Sequence, residues 1–361
     1  MALSPRGIAG TQAREYTTRL LPGTIRRSPG GCICYATRNS TAHHERGDGA
    51  QRGRAVLISV CVPSIRGHVI RHLVDSIIGQ TYTNWELIIG AQGNDPELLG
   101  ACAAAQSRDA RIRVAHIAEF GRSRGMNRAA AEARGEILAF TDDDCEAAPD
   151  WLATVAACFE QEPAVGIVGG DVVAPAARPF RISTCPAVHT IERIYRPAES
   201  GYTAPPGFYW CGGNLAVRRS VMEALGGFDE YLGAGTEFPV AEDVDFALRA
   251  EQAGTVMWTT PRSIIYHTYG RRYGLRSALA HQINYAVGRG AFGAKVYLWG
   301  HRLRERWTKP QTLAGRVCRF ARNPRRFLVR AALGKYSRQG YTRYLAEYEL
   351  GPKLLSRRKS H

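Results

Sequence analysis

Along the chain, short runs of consecutive apolar residues alternate with stretches in which apolar side chains recur every three to four positions. The first run spans 56–62, helical spacing follows over about 68–79, and a second apolar run at 85–89 returns to strand patterning. The order repeats as a helix over 98–106, a strand at 112–115, an Ala-rich helix over 123–133 closed by Gly135, and a strand at 137–140. Uninterrupted apolar runs of this length predict strands buried on both faces, and the periodic stretches between them predict the helices that cover those faces. The pattern therefore predicts an α/β core assembled from βαβ units.

Asp142, Asp143 and Asp144 follow directly on the last of these strands. Ligands of open α/β sheets gather beyond the carboxyl ends of the strands, so the aspartates stand where chemistry is usually done. Three adjacent carboxylates repel one another unless a cation or hydrogen-bond donors compensate, and hard divalent ions take oxygen ligands of this kind. A solvated acidic turn, with Asp150 or a nearby residue capping a helix that starts at Trp151, accounts for the same spacing. Further on, Val244, Ala247 and Leu248 recur at helical spacing and put Glu242 and Asp243 in a first helical turn. Acids there favour the helix dipole whatever else they do. Trp210 leads through Gly213 and Asn214 into a strand, and His267 ends the apolar run Ile264-Ile265-Tyr266. Core packing suits Trp210 as well as a sugar face does, and a solvated strand end suits His267 as well as a ligand role.

Taken in order, these segments resemble the family 2 glycosyltransferases over about 56–295. The resemblance rests on Ser59-Val60-Cys61-Val62-Pro63-Ser64, Gln80-Thr81, Trp85-Glu86-Leu87-Ile88, Asn127, Ala133-Arg134-Gly135-Glu136 and the three aspartates. Gly212-Gly213-Asn214, Gly226-Gly227-Phe228-Asp229-Glu230 and Glu242-Asp243-Val244-Asp245 complete the set. It implies a GT-A-type mixed central sheet with a nucleotide-binding βαβ half. It also implies inverting transfer of one sugar from a nucleotide-diphosphate sugar to a hydroxyl acceptor, such as a lipid-linked glycan or a cell-surface polysaccharide precursor. By that resemblance Asp142 hydrogen-bonds the nucleotide ribose, Asp144 ligates Mg²⁺ or Mn²⁺, His267 adds a metal or phosphate contact, and Asp243 is the catalytic base. Pro63, Gln92, Asn127, Asp143, Trp210, Gly213, Asn214 and Glu242 are expected around the substrates.

The chain departs from that family at Ala91, where an acid usually binds the nucleotide base, and at Met126, where Arg is usual. Gln92, Asn94 or Asp95 is then expected to replace the first, and Arg122 and Arg124 to supply the positive charge of the second. Leu303-Arg304-Glu305-Arg306-Trp307 carries Leu where processive synthases have Gln, which favours transfer of a single sugar.

Charge divides the chain in three. Residues 1–54 are Arg-rich, unpatterned and net +6, and are expected to be a disordered extension; 55–270, the expected catalytic domain, is net −9; 271–361 is net +19. An acidic centre argues against a nucleic-acid partner. In the last segment, Arg and Lys interleaved with apolar residues predict basic amphipathic helices that dock on an anionic membrane surface, at the cytoplasmic face. A helical subdomain packed on the core, with a solvated basic face, is the other reading. No stretch approaches the roughly 18 apolar residues of a membrane span. The nine cysteines form no regular framework, so reduced thiols in a cytoplasmic setting are expected. Two rival functions are a nucleotidyltransferase, which lacks a Gly-rich phosphate loop here, and a non-catalytic membrane or nucleic-acid adaptor with a degenerate core, which Asp144 and Asp243 oppose.

Overall fold

The alternating pattern folds as a mixed sheet in the computed structural model, which describes residues 55–176, 182–183, 187–205, 208, 210–270, 272–300 and 324–360. The extension 1–54 and the segment around Leu303 lie outside the described residues. The first half runs β1 (Ile58–Ser64), α1 (Gly67–Ile78), β2 (Trp85–Gln92), α2 (Pro96–Arg108), β3 (Ile112–Ile117), α3 (Arg122–Glu132) and β4 (Ile137–Phe140). It continues through β5 (Glu146–Ala147), α4 (Trp151–Gln161), β6 (Val165–Val173), β7 (Ile182–Ser183), β8 (Arg193–Tyr195), β9 (Leu215–Arg218) and α5 (Arg219–Leu225). Next come α6 (Glu242–Gln252), β10 (Val256–Tyr266), β11 (Arg272–Tyr273), α7 (Leu275–Trp299), α8 (Pro324–Glu347), β12 (Tyr348–Leu350) and β13 (Ser356–Arg358).

Strand order is β3-β2-β1-β4-β9-β6-β10-β5, with β8 also paired to β10. β1 is parallel to both β2 and β4, so the order reverses direction at β1 and opens a crevice beyond its carboxyl end. β9 then enters antiparallel between β4 and β6. Every residue of β1 and β2 is buried, as their unbroken apolar runs require. One apolar layer joins the sheet to α1, α2 and α4, and a second joins it to α3, α5 and α6. α2 starts at Pro96, earlier than periodicity alone suggests, because the Asp95 side chain accepts from Glu97 N at 2.9 Å and Pro is suited to the first turn. Asp150 stands at the N-cap of α4 but makes no side-chain cap bond.

Asn214 pins the antiparallel insertion in place. It is 2% exposed. Its amide donates to Asp171 O at 2.8 Å and Ser263 O at 2.9 Å, and its Oδ1 accepts from Trp151 Nε1 at 2.9 Å. One side chain thus ties together β6, β10 and α4. Asn214→Ala leaves the buried indole N–H and two carbonyls short of partners, and we expect a loss of about 1–3 kcal/mol in the urea unfolding free energy.

The segment after 270 shares a core with the sheet domain. Leu232, Phe238 and Leu248 pack with Phe292 and Val296 of α7, with Tyr344 of α8 and with Tyr348 at the start of β12. Lys295 is fully buried, donates to Asp229 at 2.6 Å and forms an ion pair with Asp245 at 2.5 Å. Asp229 also accepts from Ser356 N and Oγ. A boundary at 270 therefore runs through one packed unit: the inner half of α7 supplies a buried counter-charge that the acidic centre requires.

Candidate active site

Four strand ends and two helix starts converge at the crevice. β4 ends into Asp142, Asp143 and Asp144; the latter two are 3% and 4% exposed, which sets aside a solvated acidic turn. Burial pushes the Asp143 carboxyl up, but Arg66 and Ser64 offset much of that cost. The Arg66 guanidinium ion-pairs with Asp143 and reaches Asp144 at 3.0 Å, while Ser64 Oγ donates to Asp143 at 2.8 Å. Asp143 thus locks the β1 and β4 ends together.

Asp144 takes the opposite course. Burial again opposes its ionisation, yet His267 at 2.9 Å and Arg66 overcome it and hold the carboxyl well below the usual range. On the way to His267, β10 shifts register against β6 between Thr260 and Ile264. Beyond the shift Tyr266 pairs with Glu146, His267 N donates to Val173 O, and Tyr269 N donates to Asp144 O. One donor atom each from Asp142, Asp144, Cys145 and His267 lies within 4.8 Å of the others. Two carboxylates and an imidazole form a donor set that fits Mg²⁺ or Mn²⁺. The Cys145 thiol, whose pKa burial drives far up, is the poorest donor of the four.

Arg122, at the start of α3, joins this cluster to the second acidic group. Its Nε donates to Asp142 at 2.7 Å and its Nη1 to Glu242 at 2.7 Å. Glu242 and Asp243 open α6, after Ala241 adopts a left-handed backbone (φ 74°) that is costly for a side-chain-bearing residue. Asp243 accepts from Gly212 N at 3.0 Å and from Val244 N at 2.8 Å. A Cβ at Gly213 would come within 3.3 Å of Asp142 Oδ2, so backbone there approaches the first acidic group closely.

One guanidinium facing Asp142, Glu242 and Asp243 leaves negative charge in excess. Burial, and then the Asp243 charge, push the Glu242 pKa up to about 7 against the pull of Arg122. Because the folded value exceeds the ordinary 4.5, the folded state retains a proton that the unfolded chain has released, and stability falls as pH rises through about 4.5–7. Glu242→Gln removes that slope. Thermal unfolding followed across this window is expected to show wild type losing ground to the variant as pH rises.

Of the other expected residues, Gln92 accepts from Gly121 N at 2.7 Å and so shapes the entry to α3. Pro63 packs under the same helix, close to Gly125. Trp210 is half-buried against Gly169 of β6 and the apolar layer of α3, α5 and α6. The Asn127 amide exchanges hydrogen bonds of 2.9 and 2.8 Å with the backbone of Phe228, tying α3 to the 226–230 turn. Asn214 serves the scaffold as described. Arg66 was absent from the expectations, although the surplus of adjacent carboxylates called for a cation and Arg66 follows β1 by two residues.

Residues 59–226 match the family model described as glycosyl transferase family 2. Over 230 residues the chain is 32% identical to an uncharacterised protein of Sinorhizobium fredii, covering 58% of this chain and 24% of that one. Over 221 residues it is 26% identical to the glucosyl-dolichyl phosphate glucuronosyltransferase of Haloferax volcanii, covering 55% and 64%. The chain thus spans less than two thirds of either relative. The solved mannosyltransferase PcManGT of Pyrobaculum calidifontis, in complex with GDP-Man and Mn²⁺, superposes with a TM-score of 0.52 at 18% identity, covering 81% of this chain and 88% of that one. At that identity the likeness is one of fold.

Proposed function

The chain belongs to the family 2 glycosyltransferases and has their GT-A fold, and from that premise we propose a metal-dependent, inverting enzyme that moves one sugar from a nucleotide-diphosphate sugar to a hydroxyl acceptor. One observation carries the reading. Arg122 bridges Asp142, in the carboxylate–imidazole cluster, to Glu242, the neighbour of Asp243, so that a leaving-group site and a base share one crevice.

In this reading Asp144 and His267 hold Mg²⁺ or Mn²⁺, and Asp142 lies against the nucleotide ribose. The bound ion supplies electrostatic stabilisation of the diphosphate as it departs. Asp243 takes the proton from the acceptor hydroxyl as its oxygen bonds to the anomeric carbon on the face opposite the nucleoside diphosphate; the bond from that carbon to the diphosphate oxygen breaks, and the configuration inverts. Arg122 keeps Asp142 and Glu242 at a fixed separation. Arg66 neutralises Asp143 and orients Asp144.

A lipid-linked glycan suits the acceptor side. Residues 271–361 carry net +19, which attracts an anionic membrane surface and supports peripheral placement at its cytoplasmic face. No helix among the described residues is long and apolar enough to cross a membrane.

The test is a panel of nucleotide sugars with and without Mn²⁺, scored for nucleoside diphosphate release, alongside Mn²⁺ binding measured by electron paramagnetic resonance. Release from one or a few donors should require the ion, and Asp144→Ala should lower both release and Mn²⁺ affinity by about a hundredfold or more. Equal release and equal Mn²⁺ binding in wild type and variant would overturn the assignment.

A further inference from the structure

α7 is two helices in one. From Ala286 to Val296 it is packed into the core, whereas from Leu275 to Asn284 Ala278 is the one buried residue. The packed half lies against the segment entering α6: a Cβ at Gly288 would meet Val240 Cγ2 at 2.7 Å, and Val240 precedes Glu242 by two residues. Tyr285, one turn back from Gly288, is thereby carried to the mouth of the site. Burial and then the charge of Glu242 push its phenol pKa up to about 12, against the pull of Arg122.

From Tyr285 an aromatic series runs outward. His281 lies 4.1 Å from Tyr285 between ring centroids, and Tyr273 lies 5.6 Å from His281. On the adjacent helix face, one turn apart, Leu275 is 78% exposed and Leu279 is 56% exposed. No Asp or Glu lies between 271 and 300, so this wall brings no like charge to the acidic crevice.

We infer that the projecting half of α7 is the acceptor wall of the enzyme, built for a glycoside with an apolar aglycone. Tyr285 and His281 take the pyranose ring, since flat aromatic surfaces match the apolar face of a sugar. Leu275 and Leu279 take the aglycone, whose apolar chain covers their exposed side chains. The inference rests on the transferase reading but narrows it to an amphiphilic acceptor class, reached from the α7 side.

The test titrates full-length protein, without donor, with matched n-octyl and methyl glucosides, galactosides and mannosides below their micelle concentrations, followed by intrinsic fluorescence and ligand-observed NMR. For at least one sugar the octyl glycoside should bind about tenfold or more tightly than its methyl partner. In Leu275→Ser/Leu279→Ser that ratio should fall towards one, whereas Tyr285→Ala should weaken both members of the pair. No detectable binding, equal affinity for the pair, or a ratio unchanged in the leucine variant would each overturn the acceptor wall. Binding to anionic vesicles that the leucine variant loses, with no octyl preference, would assign these leucines to the bilayer instead and overturn it too. Nucleoside diphosphate release without acceptor reports on the donor site alone, so failure of the transferase reading is separable from failure of the wall.

Discussion

Asn in place of Asp243 is expected to lower sugar transfer by about a hundred- to ten-thousandfold, if Asp243 is the base proposed above, while leaving nucleotide-sugar affinity unchanged. The reason lies in what the side chain does at rest. Asp243 is held by two backbone N–H groups, Gly212 N and Val244 N, and it sits in the first turn of α6, where the helix dipole favours its charge. Asn preserves size and one acceptor oxygen but has no basic site for the acceptor proton. Neither Asp144 nor His267 depends on Asp243 for a hydrogen bond, so donor and ion binding should survive. Turnover at saturating acceptor, set against donor affinity from calorimetry, separates the two. A variant that transfers at the wild-type rate would move the base elsewhere.

Methionine in place of Lys295 is expected to destabilise the fold by about 3–5 kcal/mol, the cost of leaving a buried charge without its partner. Lys295 and Arg249 face Asp229 and Asp245 in an enclosure where Arg249 and Asp245 are 1% and 0% exposed. Arg249 is already engaged by Asp245 and by the carbonyls of Leu225 and Gly227, so it cannot serve Asp229 as well. Burial opposes the ionisation of Asp229, but Lys295 and Ser356 outweigh it and hold its carboxyl below the ordinary 3.8. A depressed pKa contributes stability above 3.8 that is lost as pH falls through the folded value. The gap between wild type and Lys295→Met in urea unfolding should therefore be full at neutral pH and shrink in acid. Asp229→Asn added to Lys295→Met should recover part of the loss, because it removes one of the stranded charges.

These two expectations differ in how far the sequence alone leads to them. The place of Asp243 was legible: helical spacing of Val244, Ala247 and Leu248 puts it in a first turn, where α6 has it. Lys295 was not. Within a segment of net +19 it reads as one more solvated cation, and only the packing of Phe292, Val296 and Tyr344 against Leu232 and Phe238 turns it inward. The 271–361 segment accordingly reads as a basic tail, although its inner helix completes the unit that carries Asp243.

The aspartate run divides along the same line. Its place after a buried strand follows from the apolar pattern of 137–140, since short-range patterning is set by which residues must leave water. Which carboxylate faces which partner depends on contacts from far along the chain: Asp143 meets Arg66, Asp142 meets Arg122, and Asp144 meets His267 across 123 residues. Asn127 and Asn214 show the converse, for polar residues within recognisable motifs proved to satisfy backbone groups at element junctions. The sequence by itself determined the α/β core, the acidic crevice and its two carboxylate groups, because burial and periodicity act locally. Tertiary structure alone decided the charge pairing, the inward turn of Lys295 and the aromatic wall of α7, because the partners of a buried charge or ring are chosen by the whole fold.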